Sequence, residues 1–137
     1  MNCLRLMFAA LLAALVMGGA GCVTPIPSAA AVYERVQPAA LEILVNGRMA
    51  GSGSIVDAGG SVLIAAHMLP VGNEAHLEAH SSTLGRQPLR LIGLDLAHDL
   101  ALLQLPLQAE EYPPLTIAQR SPRPGEPVYL YGAPVFR

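Results

Sequence analysis

Short apolar segments separated by turn signals are the feature that most restricts what this chain can fold into. Outside the N-terminus, no stretch repeats apolar residues with the helical period, and the best helical candidate is a single turn around residues 66–69, before Pro70. A parallel α/β fold would need long helices between its strands. The pattern therefore predicts an all-β fold, a small antiparallel barrel or sandwich. The predicted strands are 41–45, 54–57, 61–65, 75–80, 89–94, 100–105 and 128–131, and the first of them leads into the hairpin signal Asn46-Gly47.

The N-terminal residues form a separate segment. Residues 1–5 carry a positive charge on Arg5, residues 6–16 are all apolar, and small residues then lead to Cys22. This arrangement is typical of an export signal. A membrane-spanning helix needs about 20 apolar residues, and the apolar run here ends sooner. We therefore predict a helical signal segment rather than a permanent anchor.

Gly19-Ala20-Gly21-Cys22 resembles a bacterial lipobox, in which the cysteine is lipidated, although Gly19 stands where that pattern usually has Leu. An ordinary cleaved signal is the alternative. Cys3 lies within the signal, so Cys22 alone remains in the mature chain and no intrachain disulfide can form.

We predict a lipoprotein-type signal over residues 1–21, a lipid on Cys22 that attaches the protein to a membrane, and a linker over 22–34. The predicted location is the bacterial cell envelope, facing the periplasm.

The composition excludes two classes of protein. Hydrophobic residues make up 53% of the chain and charged residues 13%, which is too apolar for a disordered, charge-rich chain. All eight basic residues are Arg, the net charge is -2, and no basic cluster is visible. A nucleic-acid partner is therefore not expected. We predict no cofactor, since the glycine-rich residues 51–54 lack the Lys and the following helix of a phosphate loop.

Two polar residues lie at the ends of predicted apolar strands. His67 follows the strand at 61–65, and Asp99 precedes the strand at 100–105. A hydroxyl nucleophile needs an imidazole to remove its proton, and the imidazole needs a carboxylate to fix its tautomer. Each residue taken alone is more often an ordinary surface or turn residue. Together, in the chain order His then Asp, they predict a catalytic base and its orienting carboxylate.

Four segments in a fixed order carry a resemblance to a known family. They are Gly51-Ser52-Gly53-Ser54-Ile55-Val56, Ser61-Val62-Leu63-Ile64-Ala65-Ala66-His67, Asp95-Leu96-Ala97-His98-Asp99-Leu100-Ala101-Leu102-Leu103 and Gly125-Glu126-Pro127-Val128-Tyr129-Leu130-Tyr131-Gly132-Ala133-Pro134. The set resembles trypsin-like (chymotrypsin-fold) serine peptidases, and the last segment is similar to a strand of the HtrA/DegP branch. The resemblance covers roughly residues 36–137.

The resemblance implies that the chain is the N-terminal half of such a peptidase. Residues 35–137 would form the first β-barrel of a two-barrel fold, an incomplete peptidase domain. His67 would be the general base and Asp99 the carboxylate that orients it. Asp95 aligns with a non-catalytic position of the family.

The remaining histidines are weaker candidates. If His98 lies on a strand, as its surroundings indicate, it points away from the face that holds Asp99. His76 and His80 have the spacing of metal ligands only on a helix, their segment is predicted to be a strand, and no third ligand is near. We therefore predict no metal site.

The sequence departs from the family at the nucleophile. No Gly-x-Ser-Gly-Gly loop follows Asp99, Ser121 is the only later serine, and Ser52 and Ser54 precede His67. Without a nucleophilic serine and an oxyanion hole the chain itself is predicted to be inactive. It would act on a polypeptide substrate only if the missing half is supplied. The alternative function is a non-catalytic envelope lipoprotein that uses a protease-like barrel as a binding or structural module.

Overall fold

The computed structural model describes residues 26–70 and 75–132. In this part of the chain one helix, α1 (Ala29–Val36), precedes seven strands: β1 (Ala40–Val45), β2 (Arg48–Ile55), β3 (Ser61–Ala65), β4 (Leu77–Ser81), β5 (Gly85–Pro88), β6 (Arg90–Asp95) and β7 (Leu100–Gln104). The strands form a single antiparallel sheet in the order β5-β4-β1-β2-β3-β7-β6, curled into a half-barrel. This confirms the predicted all-β class. The predicted signal segment and Cys22 lie outside the described residues.

The first hairpin forms where the sequence predicts it. Asn46 and Gly47 join β1 to β2 with φ angles of 52° and 77°. Positive φ at both central residues defines the tight turn whose twist matches that of the flanking strands, and Asn-Gly is the pair that adopts it most readily. The Asn46 side chain also accepts a hydrogen bond from the backbone N–H of His76, at 3.0 Å. The turn thus connects the β1–β2 hairpin to the chain that enters β4.

The core lies on one face of the sheet, because apolar residues alternate along the strands. Residues of β1, β3, β4 and β7 alternate between buried and less buried positions, as a pleated strand requires. The buried cluster consists of Ala39, Leu41, Ile43, Ile55, Val62, Ile64, Ala66, Leu77, Ala79, Ala101, Leu103, Leu105 and Tyr112. Gly53 faces this cluster, and a Cβ there would lie 2.9 Å from side-chain atoms of Ile43, Ile64 and Val62. Glycine therefore lets β2 cross the core at close range.

Two sheet features differ from the sequence prediction. β2 begins at Arg48 rather than at residue 54, so that it includes the glycine-serine segment. β5 was not predicted, because Gly85 and Pro88 are poor strand formers. As an edge strand β5 pairs only with β4, where Pro88 lies opposite Glu78. Proline has no backbone N–H to donate, and on the outer side of an edge strand there is no neighbouring strand that needs one.

The prediction of a strand at residues 128–131 is wrong. In the described part of the chain this segment has no strand hydrogen bonding, and the side chain of Leu130 is fully exposed. Instead, the Tyr129 hydroxyl donates to the Pro27 carbonyl at 2.8 Å, and the Tyr131 ring lies 5.5 Å from that of Tyr33. A β-strand forms only where a neighbouring strand offers backbone partners, and none of the described strands pairs with this segment.

Helix α1 begins within the segment predicted to be a linker. The Ser28 hydroxyl caps it by accepting the backbone N–H of Ala31 at 3.2 Å, and Pro38 follows in the 3-10 turn Gln37–Ala39. None of the helix residues is buried. Among the residues the structure describes, no helix is long and apolar enough to cross a bilayer.

Candidate functional site

The pairing of β3 with β7 brings His67 and Asp99 together across 32 positions of sequence. Ala65, the last residue of β3, lies opposite Leu100, the first residue of β7. One step beyond this pair, the backbone N–H of Ala66 donates to the carbonyl of Asp99 at 3.0 Å. The chain then enters the 3-10 turn Ala66–Met68, which carries His67. The two polar residues therefore lie at the same end of two paired core strands.

The carboxylate of Asp99 holds His67 at two points. Its Oδ2 lies 2.7 Å from the ring Nδ1 of His67, and its Oδ1 accepts the backbone N–H of His67 at 2.8 Å. The hydrogen bond from the ring, followed by that from the backbone N–H, holds the pKa of Asp99 below its usual value of 3.8. A carboxylate so placed fixes the ring orientation and favours the tautomer with the proton on Nδ1. The Nε2 lone pair is then available to accept a proton.

The pair lies at the surface of the described residues. The His67 side chain is 74% exposed and that of Asp99 51%. Water therefore screens the interaction between them, and contact with a covering surface would strengthen it. The hairpin that carries Asp99 also exposes four leucines: Leu91, Leu94, Leu96 and Leu100.

A second His–Asp pair lies in the turn between β6 and β7. Asp95 Oδ2 is 2.7 Å from the ring Nδ1 of His98, and the hydrogen bond from this ring lowers the pKa of Asp95. Residues 96–99 form a turn rather than part of a strand. The strand alternation used to set His98 aside therefore does not apply. The His98 ring pairs with Asp95 and not with Asp99. The three-residue spacing in Asp-x-x-His is the sequence signal for that pairing.

The other two histidines pair with glutamates. His76 Nε2 lies 3.7 Å from Glu78 Oε1, and His80 Nδ1 lies 3.0 Å from Glu42 Oε2. His80 and Glu42 are directly opposite each other on β4 and β1, which explains their contact. Over residues 26–70 and 75–132, no group of three His, Cys, Asp or Glu side chains is placed to hold a metal ion.

The serines considered as nucleophiles lie on β2 or in an irregular segment. Ser52 is opposite Glu42 on β1, and Ser54 is opposite Leu63 on β3. A methyl group on residue 132 would lie 3.3 Å from the Ser52 hydroxyl, so the chain near Gly132 passes close to it. Ser121 lies in an exposed irregular segment.

A groove of about 710 Å³ runs along the sheet face opposite the core. Its walls include Tyr33 of α1 and Tyr131 of the C-terminal segment, and Asp99 and Leu100 lie at one side of it. Ser52, Ser54, Glu42 and His80 also contribute to the lining. The groove and the His67–Asp99 pair therefore share Asp99, the residue just before β7.

Among solved structures, the chain is similar to the MamO protease domain from Magnetospirillum magneticum in its apo form, with 28% sequence identity and a TM-score of 0.48. The match covers 61% of this chain and 46% of that one, so this chain spans less than half the length of the relative. No curated protein matches the chain. The family model of the trypsin-like peptidase domain matches residues 51–137, and the chain therefore belongs to the trypsin-like peptidase family.

Proposed function

We propose that His67 and Asp99 are the general base and the orienting carboxylate of a serine endopeptidase of the HtrA/DegP type. The observation that carries this proposal is the two-point contact in which Asp99 accepts the backbone N–H of His67 and lies 2.7 Å from its ring Nδ1. This contact fixes the position and the tautomer of the imidazole at once. Both are required of a base that must meet a hydroxyl.

The proposed reaction uses Nε2 of His67, the ring nitrogen without a proton when Asp99 keeps the proton on Nδ1. Nε2 of His67 would accept the proton of a serine hydroxyl as the serine oxygen forms a bond to the substrate carbonyl carbon. Asp99 would stabilise the resulting imidazolium, and Nε2–H would then protonate the leaving amine as the peptide C–N bond breaks. Water would release the acyl group by the same steps, with His67 again acting as base. The substrate would be a polypeptide.

In this proposal the serine and the oxyanion hole come from a second barrel outside these 137 residues. Two features of the described residues support such a partner. The His67–Asp99 pair is exposed, and the β6–β7 hairpin that carries Asp99 also presents Leu91, Leu94, Leu96 and Leu100 to solvent. Contact with a second barrel would cover such exposed apolar side chains. The segment 128–131 has a strand-like sequence but does not pair with any of the described strands. Alone, the chain would be inactive, because a base without a nucleophile cannot form an acyl-enzyme.

The second candidate function is a non-catalytic envelope module that binds a partner, and the groove beside Asp99 favours it. The two functions differ in what they require of His67. A catalytic base needs its proton on Nδ1, whereas a binding module places no constraint on the tautomer.

The proposed function predicts the tautomer of the His67 ring. In the full 137-residue chain, ring ¹⁵N chemical shifts of neutral His67 should show the proton on Nδ1. His76 is the internal reference, because its contact with Glu78 is through Nε2 and its side chain is similarly exposed, at 69% compared with 74%. If the two rings show the same Nε2–H tautomer, the pair is not preorganised and the binding module is the better function.

We also propose that the protein is exported and attached to the envelope membrane through a lipid on Cys22. The support is the sequence of the N-terminal segment. Cys22→Ser should move the protein from the membrane fraction to the soluble periplasmic fraction, measured by fractionation and by incorporation of labelled fatty acid. Cys3→Ser is the matched control, since Cys3 lies within the predicted signal. Unchanged fatty acid incorporation in Cys22→Ser would contradict the lipid anchor.

A further inference from the structure

The backbone of Asp99 adopts a conformation that aspartate does not favour by itself. Its φ angle is +56°, and within residues 26–70 and 75–132 Asn46 is the one other non-glycine residue with a positive φ. This left-handed region is open to Asp but is not its preferred state. The surrounding structure must therefore hold Asp99 there, and in this conformation its carboxylate reaches His67.

The contacts that order this turn converge on Asp95. Its Oδ1 accepts the backbone N–H groups of Ala97, at 3.1 Å, and of His98, at 3.2 Å. Its Oδ2 lies 2.7 Å from the ring Nδ1 of His98. A short carboxylate that accepts the backbone N–H two residues later mimics a backbone turn, and Asp and Asn form this arrangement most readily.

The position of Asp95 in the sheet explains why this contact reaches Asp99. Asp95 is the last residue of β6 and lies opposite Leu100, the first residue of β7, so the pair closes the hairpin. Residues 96–99 lie between them, and Asp95, at the end of β6, holds the backbone of Ala97 and His98 in that turn. Asp99 follows His98 and directly precedes β7, and its carbonyl accepts the backbone N–H of Ala66 at the end of the β3–β7 pairing.

We propose that Asp95 is a positioning residue, whose side chain shapes the 96–99 turn so that Asp99 stays left-handed and presents its carboxylate to His67. The inference rests on the proposed function, because it concerns how the orienting carboxylate is held in place. It gives a role to the Asp95–His98 pair, whose ring-to-carboxylate distance equals that of the His67–Asp99 pair. The backbone contacts of Asp95 carry the effect, and the ring of His98 reinforces them.

The test uses Asp95→Ala in the full 137-residue chain, with two NMR readouts. Wild type should show a strong NOE between the amide and α protons of Asp99, as a positive φ requires, and an Nδ1–H tautomer at His67. Asp95→Ala should lose both signals. Asp95→Asn should keep both, because the amide oxygen still accepts the two backbone N–H groups. Asp95→Glu should lose both although it keeps the charge, because its longer side chain does not close the turn.

Dispersed amide signals from β1 to β3 establish that each variant is folded, and the half-exposed side chain of Asp95 makes all three substitutions mild. Glu42→Ala removes the carboxylate that contacts His80 and is the matched control that should leave His67 and Asp99 unchanged. If Asp95→Ala and Asp95→Glu are folded and keep both signals, the positioning role is overturned while the proposed function stands. If wild type itself lacks the Nδ1–H tautomer at His67, the proposed function fails, and the inference fails with it.

Discussion

Under the proposed function, Asp99→Asn should lower kcat for peptide hydrolysis by about 10⁴-fold in a polypeptide that joins these residues to a nucleophilic serine. The side-chain amide would retain the size of the carboxylate, but its nitrogen would donate where Oδ2 now accepts from the His67 ring. His67 would then be held with its proton on Nε2, the atom that must accept the proton of the serine. The measurement is steady-state hydrolysis of a peptide substrate by wild type and variant at equal concentration.

Asp57→Asn is the matched control for this substitution. Asp57 accepts the backbone N–H of Ser61 at 3.1 Å in the turn between β2 and β3, and asparagine forms the same type of turn. Its kcat should stay close to that of wild type. A fall of less than about tenfold for Asp99→Asn, with the variant folded, would remove Asp99 from the triad role, since an incorrect tautomer costs several powers of ten.

Leu103→Ala should destabilise the domain by about 2–5 kcal/mol. Leu103 is fully buried at the centre of β7, opposite Val62 on β3 and Leu91 on β6. Alanine would leave a cavity that a sheet of paired strands cannot readily close. Because small domains are stable by about 5–15 kcal/mol in total, the midpoint of urea unfolding of the full chain should fall steeply.

Leu94→Ala serves as the comparison for Leu103→Ala. Leu94 is on the neighbouring strand β6, but half of its side chain is exposed to solvent. Its truncation should cost less than about 1 kcal/mol, as for most surface positions. Equal losses at both sites would mean that the buried face of the sheet does not dominate the stability of the chain.

Local sequence patterns were sufficient to predict much of the fold. The alternation in 41–45 and 61–65, and the turn at Asn46-Gly47, have local causes, because a pleated strand and a turn with positive φ each depend on neighbouring residues. Local patterns failed where distant contacts decide the structure. Residues 128–131 have the composition of a strand but pair with no strand among the described residues. Residues 85–88 have the composition of a turn, but pair with β4.

The candidate site divides in the same way. The order of His67 and Asp99 at the ends of apolar strands made them candidates, and the four ordered segments that resemble trypsin-like peptidases gave them their expected roles. The turn at 96–99 was not predictable from strand alternation, and neither was the pairing of His98 with Asp95.

The sequence by itself determined the class of the fold, its family resemblance and the choice of His67 and Asp99 as candidates for the base and its carboxylate. Only the tertiary structure decided that these two residues meet, since a contact across 32 positions depends on the register of β3 against β7. It also decided that Asp99 is left-handed and that its carbonyl accepts the backbone N–H of Ala66. The physical reason is that turns and alternation follow from neighbouring residues, whereas register and side-chain contacts follow from the packing of strands that are distant in the chain.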